Sequence, residues 1–319
     1  MLISQLRGHL VETTHPVSAA LWADGALRWS VGPDFSSFWR SGCKALQLTS
    51  SLNHLPPDLV RGLTDEELAI GAASHSAQPM HVAHVESLLD RFGLVESDLR
   101  CGAHRPMHEP SARALERAGA KPTQVHNNCS GKHTFMRAAA KFSGWPDDYR
   151  PPDHPLQVEN TQRMTEWMGE APSIAVDGCG VPSFHARLHA MARAVSTLAV
   201  EMGPEWAPGS GLEARIGWAM HRCPQHMSGE GRLDLRVVED ATEPLTVKVG
   251  AEGLFTIALP NRRAGLVVKV HTGNDAALAV AVRSVLDEVY PGLIEAEPWP
   301  WSTVQNVVGR TVGERRAVW

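Results

Sequence analysis

The sequence predicts an α+β fold with one mostly antiparallel sheet, to which both ends of the chain contribute strands around a helical middle. Residues 17–32 form two alternating apolar runs around Asp24-Gly25, a pair typical of a tight hairpin turn. The alternation returns late in the chain, in residues 245–260 and 264–273. The strands at the two ends are therefore expected to meet in one sheet.

The middle of the chain has the spacing of amphipathic helices. Thr64 followed by Glu67 forms a capping box that opens a helix. Apolar residues recur at helical spacing from Val82 to Phe92, and Gly93 ends the pattern. Further helices are predicted at residues 133–144, 154–169, 183–203, 212–222 and 275–290.

The connections between these elements are short and rich in Pro, Gly and Asp, and none resembles a linker between domains. We therefore expect a single catalytic domain over residues 1–319. Its helical middle, at about 60–235, is inserted between the N-terminal and C-terminal strands.

Composition limits the classes of function. Of the 319 residues, 43% are hydrophobic and 20% charged, and the net charge is −5. These values are typical of a soluble globular protein and argue against nucleic acid as a partner. The sequence predicts no membrane helix, which would need ~20 apolar residues, and the N-terminus lacks the apolar core of a signal peptide. We expect a cytoplasmic protein that acts on a small uncharged or zwitterionic molecule.

Cysteine usage indicates thiols rather than disulfides. The five cysteines are Cys43, Cys101, Cys129, Cys179 and Cys223. An odd number scattered along the chain does not form a disulfide framework. Free thiols are expected, and some of them are candidates for binding a metal.

Two early segments place hydroxyl groups beside groups that could activate them. Ser41 and Lys44 are three residues apart, so on a helix they share a face and a neutral lysine could take the serine proton. A solvated helix surface is the alternative. Ser74, His75 and Ser76 follow an apolar helical run. A functional site at this boundary and a simple helix cap both remain open.

A third segment is NNCSGKH, residues 127–133, in which Gly131 leads into a helix. Backbone N–H groups at the N-terminus of a helix stabilise a thiolate or an oxyanion. The alternative is a polar helix entry with an inert thiol at Cys129. This stretch by itself favours neither interpretation.

A fourth segment, VDGCGVP at residues 176–182, is a tight turn after an apolar run. Its Cys179 could join Cys129 around zinc, with Asp177 as a ligand or as a partner of one. Buried inert thiols are the alternative, and Cys101-x-x-His104 would be a competing ligand pair.

Lys248 and Lys269 each lie in an otherwise apolar strand pattern. Such a lysine is either an edge residue whose amine reaches water or a buried base with a lowered pKa.

Taken together and in this order, eight segments resemble the Rhizobium-type L-asparaginases, a zinc-containing family whose fold is related to serine β-lactamases and serine-dependent glutaminases. The segments are RSGCK, ASHS, LRCGAH, NNCSGKH, PDHPLQ, DGCGVP, SGEGR and KVGAEG. With the opening hairpin they extend from about residue 10 to residue 275. The tail after residue 275 matches little, and His15-Pro16 stands where the family often has His-Arg.

The resemblance implies an amidohydrolase that converts L-asparagine to L-aspartate and ammonia, acts as a homodimer and binds Zn²⁺. The two Ser/Lys pairs that it implies are Ser41 with Lys44 and Ser74 with Lys248. The zinc ligands that it implies are Cys129, Lys132 and Cys179. The substrate-binding residues proposed with them are Arg40, His75, Asn128 and Asp177.

The expected mechanism is a double displacement, in which a lysine-activated serine attacks the amide, ammonia leaves, and water hydrolyses the acyl-enzyme. Ser41 is the first choice of nucleophile because Lys44 is placed locally, and Ser74 is the second. Two alternatives remain: the same apparatus could hydrolyse another amide, such as glutamine, a β-lactam or a peptide, or the chain could be a catalytically silent binding protein.

Overall fold

A computed structural model describes residues 1–207, 209–295 and 298–319. It confirms the predicted α+β class, because strands from both chain ends form one antiparallel sheet beside a body of helices. The strands are β1 (Leu2–Arg7), β2 (Leu10–Ala23), β3 (Ala26–Val31), β4 (Ser36–Phe38), β5 (Ser173–Val176), β6 (Pro182–Arg187), β7 (Thr246–Gly250), β8 (Leu254–Leu259), β9 (Ala264–Val270), β10 (Thr303–Gln305) and β11 (Thr311–Val318).

The main sheet has the order β10-β11-β1-β2-β9-β8-β7, with β3 also paired to β2. A second, small sheet has the order β4-β6-β5. The helices are α1 (Lys44–Leu52), α2 (Pro57–Arg61), α3 (Asp65–Ala72), α4 (Pro79–Arg91), α5 (Glu109–Arg117), α6 (Ser130–Ser143), α7 (Pro155–Met168), α8 (Leu188–Met202), α9 (Leu212–Arg222), α10 (Pro224–Met227), α11 (Leu233–Glu239) and α12 (Asp275–Val289).

The predicted hairpin is the turn between β2 and β3. Asp24 and Gly25 have φ angles of +49° and +75°, the left-handed backbone that matches a two-residue turn to the twist of its strands. β2, the strand before this turn, is 14 residues long. Its first half pairs with β1 and its second half with β9. This long strand therefore connects the two ends of the chain.

The helix predicted over residues 183–203 is wrong at its start. Pro182–Arg187 is strand β6, which pairs with β4 and β5, and α8 begins only at Leu188. Phe184 lies four residues before Leu188, so the helical spacing of apolar residues extends into the strand that precedes α8, although the backbone there is extended. Pairing with two distant strands overrides the local pattern, and the small sheet interrupts the helical middle.

The C-terminal tail forms two strands that the sequence pattern did not predict. β11 pairs with all of β1 through its residues 313–318, and β10 forms the edge next to it. Trp299 before them is buried, and its indole N–H donates to the Ala279 carbonyl of α12 at 2.9 Å. The tail therefore extends the sheet and covers one of its cores.

Helices pack on both faces of the main sheet, α8 on one and α12 on the other. Gly265 of β9 lies so close to α8 that a Cβ atom would clash with backbone atoms of Ala192 and Ser196. Only glycine permits this approach, which fixes the sheet against the helical body. Gly131 has the same function between α6 and α3, since a Cβ atom there would meet the Ile70 carbonyl.

The helical body begins at Lys44, before the predicted boundary at about residue 60, and continues to Glu239. That residues 1–319 form a single domain stays a prediction. Among the helices of the described ranges, none combines the length and the apolar character that crossing a bilayer requires.

Candidate active site

Ser41 lies in a short 3₁₀ turn directly before α1. The N–H groups of Ser41 and Gly42 both donate to the Trp39 carbonyl, at 2.6 and 3.0 Å. Arg40 in the same turn has a φ of +52°, a left-handed backbone that costs about 1–2 kcal/mol for a residue with a side chain. This strained backbone places the Arg40 Nε 3.1 Å from a carboxylate oxygen of Asp177.

Lys44, the first residue of α1, is only 1% exposed. Its amine donates to the Ser74 hydroxyl at 2.9 Å and to the Ala73 carbonyl. The pairing in the structure thus differs from the one inferred by motif, which gave Lys44 to Ser41. The reason is that α1 packs beside α3, which ends just before Ser74.

The two serines differ in access. Ser41 is half-buried, and among the described residues its hydroxyl has no hydrogen-bond partner. Ser74 is 5% exposed and holds the bond from Lys44. Ser41 is therefore the serine whose hydroxyl is free to approach a ligand.

Lys248 lies on edge strand β7 and is 2% exposed. Its amine donates to the carbonyl of its neighbour Val249 at 2.9 Å. Burial lowers the pKa of Lys248 to about 7, with Asp234 acting against this shift and Lys44 adding to it. A large share of this amine is therefore neutral near pH 7, as a general base requires. Among the described residues it makes no hydrogen bond to Ser74, its partner by motif.

Cys129, Lys132 and Cys179 come together in the structure. Cys129 precedes α6, Lys132 is in the first turn of that helix, and Cys179 is in the turn between β5 and β6. The lysine amine donates to the Cys179 sulfur at 3.4 Å. A hydrogen bond from Cys129, opposed by burial and aided by the Lys132 charge, lowers the pKa of Cys179 to about 5.

These three side chains are 3–7% exposed and form a donor set that suits zinc, two sulfurs and one nitrogen. Within the described ranges, no group of three or more His, Cys, Asp or Glu side chains is arranged to hold a metal ion. A metal at this position would therefore need Lys132 as a ligand.

The loop that carries Cys129 is fixed by its neighbour Asn127. The Asn127 side chain accepts from the Cys129 N–H at 2.8 Å and donates to the Cys101 and Gly102 carbonyls. Asn128, which was a candidate substrate contact, instead donates to the Met107 sulfur at 3.7 Å. The structure thus places the two asparagines of NNCSGKH in different environments.

His75, which follows Ser74 in the chain, is completely buried. Its Nδ1 accepts from the Ala77 N–H at 3.2 Å, and its Nε2 lies 2.8 Å from the Ser130 hydroxyl. Because Nδ1 accepts, Nε2 carries the proton and the ring is neutral. Burial lowers the pKa of His75 well below its usual range. Both ring nitrogens are bonded within the protein, so the ring links the ASHS and NNCSGKH segments.

Some residues of the site were not identified from the sequence. The Tyr149 hydroxyl lies 2.8 Å from the His133 Nδ1 and accepts from the Arg100 N–H, which ties two loops to α6. The chain has two tyrosines, and that rarity could have drawn attention to this one. Asp234 carried no such signal, since a lone acidic residue outside a recognised motif is indistinguishable from a surface residue.

The model of the L-asparaginase II family matches residues 3–317. No curated protein sequence gives a significant match. Solved structures with similar folds include a beta-lactamase from Mycobacterium bovis (14% identity, 85% of this chain and 94% of that one, TM-score 0.44) and Mglu (15%, 88% and 66%, TM-score 0.47). Simvastatin synthase from Aspergillus terreus is similar at 12% identity, over 84% and 90%, with a TM-score of 0.42. All three TM-scores lie below 0.5.

Buried neutral histidines predict acid sensitivity of the fold. His81, stacked on His75, also accepts from a backbone N–H through Nδ1, and burial lowers its pKa to about 4. Below pH 6.5 both histidines become protonated in the unfolded chain but stay neutral in the folded chain. The free energy of unfolding therefore decreases as the pH is lowered. By pH 5.5 the two should remove about 2–3 kcal/mol from the free energy of unfolding.

Urea unfolding between pH 7.5 and 5.5 measures this loss. His81→Gln should lose about 1.4 kcal/mol of this pH dependence, its own share beside those of His75 and of the buried His133, whose pKa burial lowers to about 3, whereas the exposed control His9→Gln should retain all of it. A wild-type stability that stays constant over this range would contradict the assignment of neutral buried rings.

Proposed function

The chain belongs to the L-asparaginase II family, and on that premise we propose that it hydrolyses L-asparagine to L-aspartate and ammonia. The observation that carries this proposal is the buried amine of Lys44, which is bonded to Ser74 and lies one helical turn after Ser41. A buried lysine that is bonded to one serine and one turn away in the chain from another could move a proton to and from a nucleophilic hydroxyl.

Ser41 is the proposed nucleophile because its hydroxyl is accessible and free of protein partners among the described residues. The Ser41 oxygen attacks the side-chain carbonyl carbon, and its proton passes to a neutral lysine. That proton then goes to the departing nitrogen, the C–N bond breaks, and ammonia leaves an ester on Ser41. Water then attacks the ester and gives one of its own protons, by way of the lysine, to the serine oxygen, which releases aspartate and restores the Ser41 hydroxyl.

The proton acceptors are Lys44 and Lys248. Lys44 reaches Ser74 directly, so Ser74 is proposed to relay the proton rather than to attack. Lys248 is electrostatically coupled to Lys44, because a positive charge on Lys44 lowers the pKa of Lys248. A pKa of about 7 lets one group both accept and return a proton at neutral pH.

The charges of Arg40 and Asp177 suit the head group of an amino acid. Arginine binds a carboxylate through two parallel hydrogen bonds, and Asp177 would receive the ammonium group. In the free protein the two side chains pair with each other at 3.1 Å, so the substrate would replace this ion pair by two new ones. For His75 and Asn128 a substrate contact stays a prediction: the ring nitrogens of His75 are bonded within the protein, and the Asn128 amide donates to the Met107 sulfur.

Zinc would be held by Cys129, Lys132 and Cys179, which converge beside the serines and are buried. A bound zinc ion would supply a fixed positive charge that shapes the site and helps to orient the substrate. Lys132 must give up a proton to bind the metal, so occupancy should fall in acid. The homodimer and the cytoplasmic location also stay predictions.

Ammonia release is the direct test of this function. Purified protein, zinc-loaded or treated with a chelator, should release ammonia from L-asparagine and much less from L-glutamine. A lower rate after chelation that zinc restores would support a role of the metal at the site. Folded, zinc-loaded protein that releases no ammonia from asparagine would contradict the proposal, and release from glutamine alone would favour the other-amide alternative.

Alanine substitutions separate the roles of the two serines. Ser41→Ala should lower kcat at least about 10³-fold because it removes the nucleophile. Ser74→Ala should leave a measurable residual rate, because Lys44 and Ser41 are retained. Steady-state kinetics with asparagine give both values. A Ser41→Ala enzyme within about tenfold of wild type would remove Ser41 from the nucleophile role.

A further inference from the structure

Asp234 is a buried acid next to the proposed site that the mechanism above does not use. It lies in the first turn of α11 and is 1% exposed. One of its oxygens accepts from the Val249 N–H at 2.6 Å. The other is buried and, among the described residues, has no hydrogen-bond partner.

The Val249 peptide connects Asp234 to the catalytic lysine. Val249 follows Lys248 on β7, the edge strand of the main sheet. Its N–H bonds to Asp234, and its carbonyl receives the Lys248 amine at 2.9 Å. The carboxylate therefore caps a backbone donor of the edge strand at the point where the lysine side chain turns back onto that strand.

Charge balance explains why a carboxylate suits this position. Titratable groups on three other elements act on Lys248: Arg232 and Asp234 from α11 and its cap, Lys44 from α1, and Cys129 before α6. Both cationic neighbours disfavour the charged form of Lys248, and Asp234 is the largest influence that favours it. Without Asp234, burial and the two cationic neighbours would lower the pKa of the Lys248 amine further, with little to oppose them.

We propose that Asp234 is a positioning residue for Lys248, which fixes the Lys248–Val249 peptide at the strand edge and supplies the negative charge that balances the buried amine. This inference rests on the proposed function, because Lys248 must take part in turnover for the position to matter. Lys248 moves protons itself, and Asp234 acts through it without touching the substrate.

Substitutions at Asp234 separate position from charge. Asp234→Asn keeps an oxygen that can accept from Val249 and removes the charge. Asp234→Glu keeps the charge and displaces the oxygen. Asp275→Asn is the matched control, because Asp275 also opens a helix and lines the same 230 Å³ cavity as Asp234, but is exposed.

Lysine NMR reads the amine without relying on activity. The chain has six lysines, so ¹³Cε signals can be resolved, and the signal lost in Lys248→Met identifies Lys248. In wild type its titration midpoint is expected near pH 7. In Asp234→Asn it should fall by about one pH unit, and in Asp234→Glu and Asp275→Asn it should stay close to wild type.

The pH profile of kcat/KM for asparagine should show the same change. In Asp234→Asn the limb assigned to Lys248 should move to lower pH by the same amount, with the plateau kcat within a few-fold of wild type. In Asp234→Glu the limb should stay in place and kcat should fall, since the peptide is displaced. If Asp234 only stabilised the fold, the Lys248 limb would stay at the wild-type pH in both variants.

An unchanged Lys248 midpoint in folded Asp234→Asn would overturn the inference. Should that variant not fold, an Asp234→Glu protein with unchanged kcat and pH profile would overturn it equally. Absence of ammonia release by wild type would refute the proposed function, and the NMR midpoints would still decide whether Asp234 sets the state of Lys248.

Discussion

The hydrogen bond from Lys44 to Ser74 is the interaction on which the site depends. A lysine that is 1% exposed is stable only if its amine finds hydrogen-bond partners, since a buried polar group without one costs about 1–3 kcal/mol. The partners come from the end of α3, so α1 and α3 must stay in register. Gly131 in turn lets α6 approach α3, which places the Cys129 loop beside the two serines.

The main sheet contributes to the site through its edge strand β7, which carries Lys248. β7 lies at one end of the main sheet, where unpaired backbone groups would otherwise be open to solvent or to another chain. Asp234 and the amine of Lys248 occupy the donor and the acceptor of Val249. The same contacts that protect the edge therefore hold the lysine in place, which connects the stability of the sheet to the chemistry.

Local chemistry is what the sequence could predict. The Asp24-Gly25 turn and the Thr64 capping box depend on adjacent residues, and both form as expected. The convergence of Cys129, Lys132 and Cys179 followed from a family resemblance rather than from spacing. Long-range pairing does not follow from local patterns: the helical spacing of Phe184 predicts a helix where β6 forms, and the tail strands have no pattern apart from their pairing with β1.

The same limit applies within the site. The motif placed Lys44 with Ser41 because they are close in sequence, whereas packing of α1 against α3 brings Lys44 to Ser74. Asp234 belongs to no recognised motif, and its importance is visible only through a strand 15 residues away. A motif identifies residue types, and the tertiary contacts decide which pairs of them interact.

Trapping of the covalent intermediate tests the central claim most directly. Protein mixed with L-asparagine, quenched in acid within milliseconds and digested, would be examined by mass spectrometry for an aspartyl ester. The account predicts this ester on the peptide that contains Ser41, and its loss in Ser41→Ala. An ester on Ser74, or rapid ammonia release without any serine ester, would contradict it.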